Sequence, residues 1–262
     1  MQLRPGSGLR NRGSHIVETN FIALLIASTV VGCLIGAVGI GGILLIPALI
    51  ALAGLSPHQA SATALFTFLF TGVLGSILFQ RQGSIDWRQT LTVCAGAVVF
   101  SYLGAMASSA VDGVLLMRII AALIIFAGVY VFLPRPAEEE PASKPFRLWL
   151  LLLIGAAAGF GSGFSGAGGP LFSVPLMVLW GFAPLSAIGT SQVLQIFSAA
   201  AGTVANLRYG DIQWAVAGWI TLFELAGVVA GARLAHVVSA EVLKRVAGAV
   251  CVLVGIYVLV RT

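Results

Sequence analysis

The sequence predicts an all-α membrane protein of about ten transmembrane or half-membrane helices, arranged as two inverted five-helix repeats. Three observations lead there. Apolar residues make up 59% of the 262 and charged residues only 9%, with a mean hydropathy of +1.04. A soluble domain carries about 25% charge, so this chain cannot cover its apolar residues with a polar surface and needs a bilayer. Long apolar runs alternate with short polar breaks, and the alternating segments of a membrane β-barrel are absent. The second half also repeats the first at a constant spacing.

Taken in order, residues 1–20 read as a flexible polar tail holding Arg4, Arg10 and Arg12. No small-residue cleavage site closes a short apolar core, so the first apolar run is expected to be retained. The first repeat spans 21–133. Its first helix is expected over Phe21–Val38, and the cluster Gly39-Ile40-Gly41-Gly42 then breaks it, because each interior glycine costs a helix about 1 kcal/mol. Ile43–Ala53 is about half the length of a span, hence a half-helix. Gly54-Leu55-Ser56-Pro57 is a turn whose proline suits the start of a third helix, Gln59–Phe79. A polar loop holding Arg81 and Trp87 follows, then helices over Thr90–Ala110 and Leu115–Leu133. The Pro- and Glu-containing stretch 134–146 is a solvated linker, and 147–262 is the second repeat.

Gly39 and Gly166 lie 127 residues apart. The same spacing relates Pro57 to Pro184, Thr63 to Thr190, Arg81 to Arg208, Ile85 to Ile212, Trp87 to Trp214 and Tyr130 to Tyr257. Shared composition would not produce Arg-x-Gly-x-Ile-x-Trp twice in one register. Five segments per half is an odd number, so the second copy enters the membrane upside down, as in many secondary transporters. Fusing the first helix with the half-helix would instead give four spans and parallel repeats.

The second cluster reads Gly166-Ala167-Gly168-Gly169-Pro170. Glycine, one residue, two glycines, then an apolar segment and proline resembles the signature of the sulfite exporter TauE/SafE family. Gly189-Thr190-Ser191 and Tyr209-Gly210-Asp211-Ile212 are similar to that family too. The likeness runs from the first helix to the last. It implies export of small anions, sulfite and organosulfonates among them, across a bacterial inner membrane. One departure is Ala62-Thr63-Ala64 in the first half, where the second has Gly-Thr-Ser.

The chemistry expected of the clusters is anion binding. A helix N-terminus carries unpaired N–H groups and about half a positive charge. Two such ends facing each other at midplane make a site from backbone dipoles, with Gly39, Gly41, Gly42, Gly166, Gly168 and Gly169 allowing close approach. The plainer reading is that the glycines only let helices cross closely. Ser162 and Ser165 are expected beside the second cluster, where the first has Ile35 and Val38. Thr63, Thr190, Ser191, Gln192 and Gln195 complete the candidate set, with the glutamine N–H groups as donors to an oxyanion. Thr63, Thr67 and Thr71 share one helix face, which inter-helix hydrogen bonding also explains. Glu224, deep in an apolar run, is the proton-coupling candidate, with bonding of a neutral carboxyl to helix backbone as the alternative. Arg81 and Arg208 would stand at opposite entrances, or simply satisfy helix C-termini.

The three cysteines lie singly in apolar runs, and His58 and His236 lack a second ligand at metal spacing. No metal, cofactor or enzymatic activity is expected. A net charge of +5 needs no nucleic acid, since basic loops flank membrane spans. The expected partners are the lipid bilayer and a small anionic substrate, with monomer and dimer both open. A secondary transporter, one repeat rocking against the other, is the leading expectation. A passive anion channel and a non-transporting membrane subunit are the rivals.

Overall fold

The computed structural model describes residues 8–39, 41–132, 147–234 and 240–261. The expected linker at 134–146, and with it His236 and Ile40, lies outside the described residues. The described elements are α1 (Gly8–Val38), a 3-10 turn (Gly42–Leu44), α2 (Leu45–Ala53), α3 (Pro57–Arg81), α4 (Trp87–Ser109), α5 (Gly113–Phe132), α6 (Leu148–Ser165), α7 (Pro170–Leu179), α8 (Pro184–Tyr209), α9 (Trp214–Leu234) and α10 (Ala240–Arg261). All are helical, as the sequence predicts. Six of them are long and apolar enough to cross a membrane, and α7, like α2 with its preceding turn, is short. The first helix begins at Gly8, earlier than the expected Phe21; no proline interrupts the backbone from there to Val38.

Local chemistry explains the ends. Pro57 opens α3, and Ser56 with Gln59 forms a capping box over its first turn. The Asp86 carboxylate accepts from the N–H groups of Arg88 and Gln89 at the start of α4. Asp112 does the same for Val114 and Leu115 at the start of α5. Gly166 stops α6 in the left-handed conformation at φ 70°.

The bundle is apolar outside, and buries polar side chains within a mainly apolar core. Leu91, Val99, Leu153, Leu222 and Leu253 are exposed, while Thr71, Thr190, Gln192, Gln195 and Glu224 are buried. The apolar exterior suits a chain whose solvent is hydrocarbon. α8 buries Thr190, Ser191, Gln192, Gln195, Ser198 and Asn206.

Packing repeats at the sequence spacing. α1 lies along α9 as α6 lies along α4, and α3 pairs with α8, α5 with α10. A Cβ on Gly36 would meet the Val228 carbonyl; one on Gly163 would meet the Ser101 carbonyl. Both members of the second contact are displaced by 127 from the first. Gly32 against Glu224 is matched by Gly159 against Ala97, and Gly231 against Cys33 by Gly104 against Phe160. α1 and α9 run parallel, as do α4 and α6, whereas α3 and α8 run antiparallel, as do α5 and α10. Gln59 near the start of α3 bonds to Asp211 just past the end of α8 at 2.7 Å, while Ile85 beyond α3 meets Gly189 near the start of α8.

The two halves interleave. The heavily packed pairs α1/α9, α4/α6, α3/α8 and α5/α10 each join the two halves, backbone to backbone at glycines. The repeats are not separate lobes, and the closest contacts in the bundle run between them.

Candidate functional site

A constricted pocket lies where the two glycine clusters meet. Ile35, Gly39, Gly41, Gly42 and Ile43 line it from the first half, with Phe68 of α3. Ala167, Pro170 and Leu171 line it from the second, with Gln195 of α8. Phe68 and Gln195 sit near the middle of their helices, which places the pocket at the centre of the α3/α8 pair. The 3-10 turn that leads into α2 and the start of α7 both abut it. The Leu44 and Leu45 N–H groups are already taken by the Gly41 and Gly42 carbonyls, and those of Phe172 and Ser173 by the Gly169 carbonyl, so any N–H groups left for a ligand are those of the glycine clusters and the residues next to them. Pro170 at the first turn of α7 has no N–H, so the second end offers one donor fewer.

The glycines fill several roles. Gly41 at φ 146° and Gly168 at φ 83° hold backbone that other residues rarely adopt. A Cβ on Gly42 would meet the Phe68 ring at 2.9 Å, and one on Gly168 would meet it at 3.2 Å and Gln195 Oε1 at 3.4 Å. Gly39 faces Ile188 and the Gln192 amide. Gly166 and Gly169 instead pack on Ser61 of α3 and on Leu194 and Gln195 of α8, so they shape the walls without lining the space.

Gln195 carries the main correction to the expected chemistry. Its Nε2 donates to the Phe68 carbonyl and to Thr71 Oγ1, both at 3.0 Å. The Phe68 carbonyl can only accept, so the amide cannot be flipped. The N–H groups expected to bind an oxyanion are therefore committed to α3, and Oε1, on the side of Gly168, is the polar atom this pocket-lining side chain has left. Gln192 is fully buried, and neither end of its amide has a hydrogen-bond partner.

The hydroxyls are mostly committed elsewhere. Thr63 Oγ1 accepts from the Gln213 N–H at 3.1 Å, tying α3 to the start of α9. Its repeat mate Thr190 pairs with Thr90 at 2.9 Å, tying α8 to α4. Ser191 donates to the Ala187 carbonyl and accepts from Ser173 of α7. Ser162 pairs with Ser198 at 3.3 Å, and Ser165 donates to the Gly161 carbonyl. None of these five lines the pocket. Phe68 was not among the expected residues; its spacing of 127 from Gln195 is the signal that would have found it.

A wider polar recess opens at one end of the α3/α8 pair, lined among others by Gln59, Ser61, Ser108, Asn206, Tyr209 and Asp211. The Ser61 backbone contacts Gly166, one residue before the pocket wall. At the other end packing is close: Gly39 on Ile188, Gly75 on Gln192, Gly189 on Ile85 and Ser84. Arg208 is exposed with its guanidinium 5.5 Å from the Tyr209 ring, beside the recess. Arg81 is exposed at the opposite end of the pair. Glu224 is buried in α9 beside Thr67 of α3, and neither carboxyl oxygen has a hydrogen-bond partner among the described residues. The Thr67 hydroxyl donates instead to the Ala64 carbonyl. Among the described residues no cluster of metal-ligating side chains occurs.

A family model described as sulfite exporter TauE/SafE matches residues 24–258. The chain belongs to the sulfite exporter TauE/SafE family. Relatives in that set are named as membrane transporters. The chain is 30% identical over 198 residues to the Escherichia coli K12 "probable membrane transporter protein YfcA", covering 75% of this chain and 73% of that one. It is 26% identical to the Sinorhizobium protein ORF9 of the same description, covering 88% and 87%. To YdhB of Bacillus subtilis it is 24% identical, covering 84% and 93%. No solved structure matches. This TauE/SafE chain is thus a multi-pass membrane transporter, as its composition and broken helices predict.

Proposed function

We propose that the protein is a secondary transporter that exports small sulfur-containing anions such as sulfite or organosulfonates. Alternating access would operate around the central pocket, between two inverted repeats. The observation that carries this is the convergence of both glycine clusters, with the turn that leads into α2 and the start of α7, on one space at the middle of α3 and α8. No Lys or Arg lines that space. Helix dipoles attract an anion there without the tight hold of a fixed cation, which favours release. The polar recess is the open approach, and the close packing around Gln192 is the shut side. The antiparallel pairing of α3 with α8 supports the inverted arrangement. Movement belongs to bundles that cross the repeats, such as α1 with α9 and α4 with α6. Glu224, buried and unpartnered on α9, is the proton-coupling group.

The test is a panel of sulfite, sulfate, sulfoacetate and chloride, measured for binding to purified protein and for flux in proteoliposomes. Saturable flux driven by a proton gradient is expected. Large unitary currents would make the protein a channel, and no anion binding would remove the site.

A further inference from the structure

The geometry points to a more specific ligand: the pocket takes an oxyanion in its singly protonated form, with Gln195 Oε1 accepting the acid proton. This rests on the anion reading above and narrows it. Gln195 is 3% exposed, and its two amide N–H groups are used by the Phe68 carbonyl and Thr71. Gln195 lines the pocket, and Oε1, which lies toward Gly168, is the polar atom those two bonds leave over. A lone acceptor in an otherwise anion-attracting space repels a bare oxyanion oxygen and calls for a donor. A pyramidal XO3H⁻ ion supplies both halves. Its unprotonated oxygens face the N-termini of α2 and α7, and its proton faces Gln195. A dianion leaves Oε1 opposed to a negative oxygen, and with no cation lining the pocket nothing offsets that.

No pocket-lining residue is titratable. Glu224 of α9 lies beside Thr67 of α3, α1 carries the thiol of Cys33, and α4 carries the thiol of Cys94 and Tyr102, whose ring meets Tyr209 of α8. His58 and Arg81 lie at the two ends of α3, Arg88 at the start of α4 and Arg208 at the end of α8. A pH effect common to all anions would report those groups, so the experiment compares two anions of one shape.

Sulfite and chlorate are measured for equilibrium binding to the purified full-length chain, at one pH below and one above the second ionisation of sulfurous acid. Chlorate is pyramidal, carries one charge and has no proton at either pH. Below that ionisation, hydrogen sulfite is expected to bind about tenfold tighter than chlorate, the worth of one buried hydrogen bond. Above it the advantage disappears. Gln195→Met brings the two anions to within about twofold of each other, since the acceptor is gone. Thr71→Val keeps Gln195 but unlocks its amide, so the advantage narrows there as well. Chlorate matching hydrogen sulfite, or sulfite binding best as the dianion, overturns the protonation inference and leaves the anion reading standing. Failure of both anions to bind at either pH overturns both.

Discussion

α3 and α8 are the same helix by repeat and different helices by chemistry. Gln195 stands where α3 has Phe68, Gln192 where it has Leu65, and Ser191 where it has Ala64. The niches are matched: Leu65 packs on Gly202 as Gln192 packs on Gly75, each pair displaced by 127 from the other. In one niche the side chain is apolar and at ease. In the other a fully buried amide has no partner at either end. Leaving such a group unpaired costs roughly 1–3 kcal/mol. The backbone frame is therefore shared, while polarity is loaded onto one half. A repeated frame holds a lopsided pocket, with Phe68 on one wall and Gln195 on the other.

Substitutions can break or sharpen that contrast. The largest effect is expected at Gly168→Leu, which combines a strained φ of 83° with a side chain driven into Phe68 and Gln195. Anion binding should fall by more than about 100-fold while the protein still inserts; binding that survives would mean the pocket is not the site. Glu224→Gln comes next. Stimulation of flux by a proton gradient should be lost, with anion exchange retained, and a persisting gradient effect would move coupling to another group. Gln192→Leu copies the Leu65 niche into α8. Thermal stability should rise by about 1–3 kcal/mol as the orphan amide is removed, while flux drops. A rise in stability with flux unchanged would make Gln192 a packing residue. The smallest effect is expected at Ser162→Ala, which costs one inter-helix hydrogen bond to Ser198. Stability should change by less than about 1 kcal/mol and flux by less than about twofold. A large loss there would return the serines to the site.

Much of this architecture was legible in residue order. Gly39 to Gly42 and Gly166 to Gly169 announce broken helices because glycine resists helix interiors whatever surrounds it. The spacing of 127 announces a repeat because side-chain identity survives in register. Side-chain direction was not legible. Thr63 and Thr190 look like ligands in the sequence, yet each ties its helix to the start of another. Gln195 looks like a donor, and becomes an acceptor only because the Phe68 carbonyl and Thr71 take both of its N–H groups. An amide is both donor and acceptor until its neighbours are known.

The sequence by itself determined that this chain lives in a bilayer, breaks two helices and repeats itself, since hydropathy, glycine and register are local properties. The tertiary structure alone decided that the halves interleave, that both breaks open on one pocket, and which side chains line it. Those facts depend on contacts between residues more than a hundred positions apart, where antiparallel packing of α3 on α8 selects the partners.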